Sequence, residues 1–159
     1  MKKMITAIYL MLTSGILFAQ SNDDVNLVQS LWGMDKRAIV EEYMDLSPAE
    51  ETAFWTEYET YEASRKELGK ERIDIISEYV GSFDDLNDEK ATELMNKAIA
   101  NNIAIQKLAK KTFKKMSKSV SPVKAAQFIQ LENYFITSIQ MYLQETLPFI
   151  GVLEELIEE

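Results

Sequence analysis

Leu46-Ser47-Pro48-Ala49-Glu50 is the segment that decides how this chain is read, and its pattern returns at Val120-Ser121-Pro122-Val123-Lys124. Each copy has an apolar residue, then Ser, then Pro. Ser at an N-cap accepts from a free backbone N–H. Pro is tolerated at the first helical position because its missing N–H would be unpaired there anyway. Glu50 stands three residues after Ser47, where its carboxylate can reach back to the N-cap amide. The two copies predict two helix starts. The first helix should run to about residue 80 and the second to about residue 146.

The residues between and around these starts are also helical in pattern. Strand-like alternation is absent and turn dipeptides are scarce. After the first start, Phe54, Tyr61, Leu68 and Ile75 recur every seven residues, and Tyr58, Arg65, Arg72 and Tyr79 form a neighbouring row. So long an aromatic stripe calls for a long partner helix. The aromatic residues Phe54, Trp55, Tyr58 and Tyr61 are expected in the core or at a subunit interface. Asn87 is a capping residue followed by Asp88 and Glu89, which the helix dipole favours in a first turn. It opens a third long helix, to about residue 119. A short helix is expected near 35–44, ahead of the first start. The fold predicted is all-α: one domain of about four helices over 35–147, with long antiparallel hairpins and a curved dimer. A flexible segment at 20–34 precedes it and an acidic tail at 148–159 follows. The nearly all-round apolar surface of the last helix points to the dimer.

Composition narrows the chemistry. The chain has 159 residues, no Cys and no His. A disulfide framework, a thiolate nucleophile, a Cys-based metal site and a Ser-His-Asp triad are all excluded. Any metal site would rest on carboxylates and carbonyls, hence Ca²⁺ or Mg²⁺. Asp84-Asp85-Leu86-Asn87-Asp88-Glu89 has suitable residue types but not the spacing or central Gly of an EF-hand, and reads better as a helix-capping loop. No metal, cofactor or catalytic residue is expected. An enzyme is the least favoured class, because no spacing singles out a pair of carboxylates.

The first residues read as an address. Lys2 and Lys3 precede a mostly apolar run over 5–18, then Ala19 and the polar Ser21-Asn22-Asp23-Asp24. This is the layout of a cleavable secretory signal peptide over 1–19. The alternative is an uncleaved anchor, but the run is short against the roughly 20 residues that a membrane span needs. Removing 1–19 takes two Lys from the 17 basic residues and leaves 15 against 26 acids, a net −11. So negative a chain is not expected to bind nucleic acid, which requires positive charge.

Charge is also uneven. Between 41 and 93 there are 17 acids and 5 basic residues, whereas 94–131 holds 8 Lys and no acid. At 100° per residue, Lys107, Lys110, Lys111, Lys114, Lys115 and Lys118 fill an arc of about 140°. Leu94, Met95, Ala98, Ile105, Leu108, Ala109, Phe113, Met116 and Val120 fall on the expected core side. Ile99 and Ile103 fall off it, near or within the Lys arc. The plainer reading is a solvated face that the helix dipole favours. The sharper one is a basic rim beside apolar contacts, with Ile99, Ile103, Lys107, Lys110, Lys111, Lys114 and Lys118 binding acidic or unfolded polypeptides. Arg65 and Arg72 are read as snorkelling toward nearby Glu, the alternative being anchors for a partner. Met95, Met116 and Met141 are read as core fillers.

With its two helix starts 74 residues apart, the chain resembles the Spy/CpxP superfamily of periplasmic stress proteins. The signature of that family is a Leu-Thr-x-x-Gln motif at two helix starts. The segments matching it are those of Leu46, Ser47, Pro48 and Glu50 and of Val120, Ser121, Pro122 and Lys124. The stretch from Asp88-Glu89-Lys90-Ala91 and the surroundings of Phe128 are also similar to the family. Ser replaces Thr and keeps the capping chemistry. Glu50 and Lys124 replace Gln, and Val120 replaces Leu. The family's metal-sensing branches use His, so that activity does not carry over.

The resemblance implies an ATP-independent chaperone or stress adaptor, a thin curved homodimer with a partly basic, partly apolar concave face. Its partners would be unfolded or partly folded envelope proteins. The alternative partner is the sensor domain of an envelope stress-response system.

Overall fold

The computed structural model describes residues 35–148 and 150. The expected signal peptide, the segment up to residue 34 and nearly all of the acidic tail lie outside them. The described chain is an all-α single domain. It comprises α1 (Lys36–Met44), α2 (Pro48–Ser82), a 3-10 turn (Phe83–Asp85), α3 (Asp88–Ser119) and α4 (Pro122–Thr146), with no strand among the described residues.

Each helix starts where its capping chemistry places it. Asp35 accepts from the Arg37 amide at 2.7 Å, Asn87 from the Lys90 amide at 3.0 Å, and Ser121 from the Lys124 amide at 3.1 Å. At α2 a capping box forms, in which Glu50 Oε2 accepts from the Ser47 amide at 3.0 Å and the Ser47 hydroxyl at 2.6 Å. These bonds hold the Glu50 carboxyl below its usual pKa, the hydroxyl contributing most. The acidic stretch at 84–89 is the 3-10 turn plus the Asn87 cap, as its composition suggested. Asp45 ends α1 in the left-handed region at φ 43°.

α3 packs against both α2 and α4, and α1 packs against α4. Partners along α2 and α3 run in opposite numerical order. Glu78 meets Lys90 and Lys97, Leu68 and Glu71 meet Asn101, and Glu57 faces Lys115. α2 and α4 meet through rings. Phe128 of α4 is the hub, edge-on to Phe54, Tyr58 and Tyr61 with centroids 5.6, 5.9 and 5.3 Å away. Val40, Met44, Met116, Ala125, Leu131, Phe135 and Ile139 complete the core around it. Of the aromatic residues of α2, Phe54, Tyr58 and Tyr61 are core, one of the two places expected for them, and Trp55 is half-buried against that core. Of the three Met residues read as core fillers, only Met116 is buried. Met95 and Met141 are exposed, as is Phe113, which the helical wheel placed on the core side. The reason is the width of the buried line on α3. Leu94, Asn101, Ile105, Ala109, Thr112 and Met116 form a stripe of about 80°, and Met95 and Phe113 sit beyond its edge.

Candidate functional site

Two places on the molecule gather the residues that the sequence singled out. The first is the outer face of α3. Ile99 and Ile103 are 49% and 48% exposed, with Met95 at 58% and Phe113 at 38%. At 100° per residue these four lie within about 80° of one another, starting about 40° past the edge of the buried line and running toward the Lys residues. Lys107, Lys110, Lys111, Lys114 and Lys118 are all exposed, and none has an acidic partner within 4 Å among the described residues. Lys115, at the far edge of the arc, lies 3.8 Å from Glu57. Asn102, Ile103, Gln106, Lys107 and Lys110 line a shallow groove there. The expected apolar and basic residues therefore share one continuous surface, lengthened by Met95 and Phe113. Chemically, such a face can attract acidic polypeptide at long range and hold apolar side chains at short range.

The basic residues toward the start of α3 are used differently. Lys90 and Lys97 bridge Glu78 and Glu93, and these pairs lower both carboxyl pKa values and raise both ammonium ones. They stitch α3 to the end of α2 and leave the free cations to the second half of the helix.

The second place is buried and was not foreseen. Lys36 of α1 reaches between α2 and α4, with Nζ 2.6 Å from Glu62 Oε1 and 2.8 Å from Glu132 Oε1. The Tyr61 hydroxyl donates to Glu132 Oε2 at 2.8 Å, and Arg65 is buried in the same neighbourhood. Burial pushes the Lys36 ammonium down, but Glu132 and Glu62 outweigh it and its pKa is raised. Burial raises Glu62 against the opposing pull of Lys36, and it raises Tyr61 and Tyr58 as well. Beside this cluster Arg37 stacks on Trp55, 4.0 Å from the ring centroid, and pairs with Glu59. Together these contacts latch the short α1 onto the two long helices.

The signal for this cluster was present in the spacing. Lys36, Val40 and Met44 share one face of α1. Phe128, Glu132, Phe135 and Ile139 share one face of α4. A charged residue on an apolar stripe marks a buried ion pair when a second stripe supplies the opposite sign.

The motif residues act in helix starts and junctions. Glu50 closes its own cap, whereas Lys124, at the matching position of the second copy, donates to the carbonyls of Met44 and Asp45. With Gln127, which donates to the Tyr43 carbonyl at 2.8 Å, it satisfies the end of α1. Arg72 departs from the snorkelling expectation in its partners. It reaches Asn102 on α3 and, with the amide oxygen turned toward it, Gln140 on α4 at 3.1 and 3.2 Å. Among the described residues no three carboxylates gather to hold a metal ion, and no helix is long and apolar enough to cross a membrane. The chain matches no family model, no curated protein and no solved structure.

Proposed function

We propose that this chain is an exported, ATP-independent chaperone-like protein of the Spy/CpxP type that binds unfolded or partly folded envelope proteins on the outer face of α3. The observation that carries the reading is the exposure of Met95, Ile99, Ile103 and Phe113 beside five Lys residues without acidic partners among the described residues. Long-range attraction speeds capture, and apolar contact holds the client weakly enough to let it go. Export follows from the signal-like residues 1–19, which are removed on the way to the periplasm. The working unit is a homodimer. Val123, Tyr134, Met141 and Tyr142 of α4, all exposed, support a second copy on that helix.

The test is aggregation suppression by residues 20–159 without nucleotide, using a chemically denatured model client at low and moderate salt. Dose-dependent suppression that weakens with salt is expected. Suppression indifferent to salt would remove the Lys residues from the mechanism. No suppression at several-fold excess would remove the chaperone reading. A single stoichiometric partner captured from envelope extract would then favour the sensor-binding adaptor.

A further inference from the structure

The outer face of α3 is continuous with an apolar groove at the other end of the helix pair. Ile75, Ile76 and Tyr79 of α2 and Leu94, Met95 and Ala98 of α3 line that groove, together with Ile150. Met95 belongs to both surfaces. It walls the groove and begins the exposed stripe that continues through Ile99 and Ile103 toward Lys107 and Lys110. The chain is led to this point after α4, because the Tyr79 hydroxyl donates to the Pro148 carbonyl at 2.7 Å. The sequence then reads Gly151-Val152-Leu153-Glu154-Glu155-Leu156-Ile157-Glu158-Glu159, with four apolar and four acidic residues and no basic one.

We propose that this acidic segment, residues 151–159, is the resident occupant of the outer face of α3 in its own chain. An apolar pair opens both sides of the match, Val152 and Leu153 against Ile99 and Ile103, and a second pair, Leu156 and Ile157, stands between the two pairs of Glu. Charges follow: Glu154, Glu155, Glu158 and Glu159 against Lys107, Lys110 and Lys114. The reach is sufficient. At 1.5 Å per residue Lys107 and Lys110 lie about 18 and 22 Å along α3 from Met95, and nine extended residues span up to about 30 Å. The surroundings direct the segment the same way. Over 66–74 α2 carries mixed charge, with Lys66, Lys70 and Arg72 beside Glu67, Glu71 and Asp74, whereas 94–131 holds 8 Lys and no acid.

Tethering gives the segment a millimolar effective concentration on the face, roughly, so even a weak contact is occupied most of the time. The regulatory consequence rests on the reading of this face as a client surface. The segment is then a built-in competitor that a client must displace, and weak or fully folded proteins fail to do so.

The test compares residues 20–159 with the same residues carrying Glu154→Lys, Glu155→Lys, Glu158→Lys and Glu159→Lys, both labelled on Ile methyl groups. The Ile99 and Ile103 signals should move between the two proteins. Those of the buried Ile105 and Ile139 should stay in place, which also shows that the variant is folded. Moderate salt should move the wild-type signals toward those of the variant. The docking is overturned if the Ile99 and Ile103 signals coincide in the two proteins. It is equally overturned if their difference grows with protein concentration, which would assign the occupant to a second copy. Client affinity is then measured on the same pair of proteins. Methyl shifts without any client binding would leave the docking standing and remove the chaperone reading. A tighter client complex in the variant would support both.

Discussion

Lys36 shows at the scale of one residue how charge is used to fix this fold. Its ammonium is held by two carboxylates from two other helices. Lys36→Met should therefore cost about 3–5 kcal/mol, because it takes from the buried Glu62 and Glu132 the ammonium that pairs with both. Urea denaturation measures this. The triple variant Lys36→Met, Glu62→Leu and Glu132→Leu should recover only part of the loss, since it leaves the buried Arg65 without the Glu62 charge and the Tyr61 hydroxyl without its Glu132 acceptor. The pH dependence has a definite sign. Glu62 has a raised folded pKa, through burial first, so its contribution is complete below the ordinary carboxylate pKa and is lost as the pH climbs through the raised one. Removing Lys36 removes the chief opposing influence, and the decline of stability from the ordinary carboxylate range toward neutrality should steepen in Lys36→Met. Glu78 and Glu93 act in the opposite direction. Their pKa values are lowered by Lys90 and Lys97, and their contribution is lost as the pH falls below the ordinary carboxylate pKa. The cluster was legible only in part. Stripe spacing marks Lys36 and Glu132 each as inward, but nothing in the sequence says that the two, 96 residues apart, meet.

Helix starts are the elements that the sequence reveals best, because a cap is a local device whose partners lie within three residues. Ser121→Ala should cost about 1 kcal/mol in the same urea experiment, through the lost bond to the Lys124 amide. Phe128→Ala should cost about 3–5 kcal/mol, since it empties the centre of three edge-on ring contacts between α2 and α4. Phe128 was recognisable as apolar but not as a hub, because the hub exists only once the rings of α2 and α4 meet. α3 shows where a helical wheel stops being informative. The wheel separates the Lys arc from the apolar side correctly. It cannot say how wide an arc the neighbouring helices cover, and so Met95 and Phe113 were assigned inward although they are exposed. The same uncovered width brings them into line with Ile99 and Ile103.

At the scale of the whole molecule, the separation of charge was fully legible. Acids dominate 41–93, and Lys residues without any acid occupy 94–131. What the fold adds is a division of those Lys residues. Lys97 is tied to α2, whereas Lys107, Lys110, Lys111, Lys114 and Lys118 point outward without acidic partners among the described residues. The proposed homodimer makes its own prediction: native mass spectrometry of residues 20–159 should give a dimer at micromolar concentration, and a monomer alone would exclude it. The central claim is that the outer face of α3 holds clients. Its most direct test is fluorescence anisotropy of a labelled, permanently unfolded client, titrated with wild-type protein and with two folded variants. One variant carries Ile99→Ser and Ile103→Ser, the other Lys107→Glu, Lys111→Glu, Lys114→Glu and Lys118→Glu. The account predicts at least a tenfold loss of affinity in each, about 1.4 kcal/mol, with the charge-reversed protein also losing its salt dependence. Wild-type affinity in both variants would contradict it.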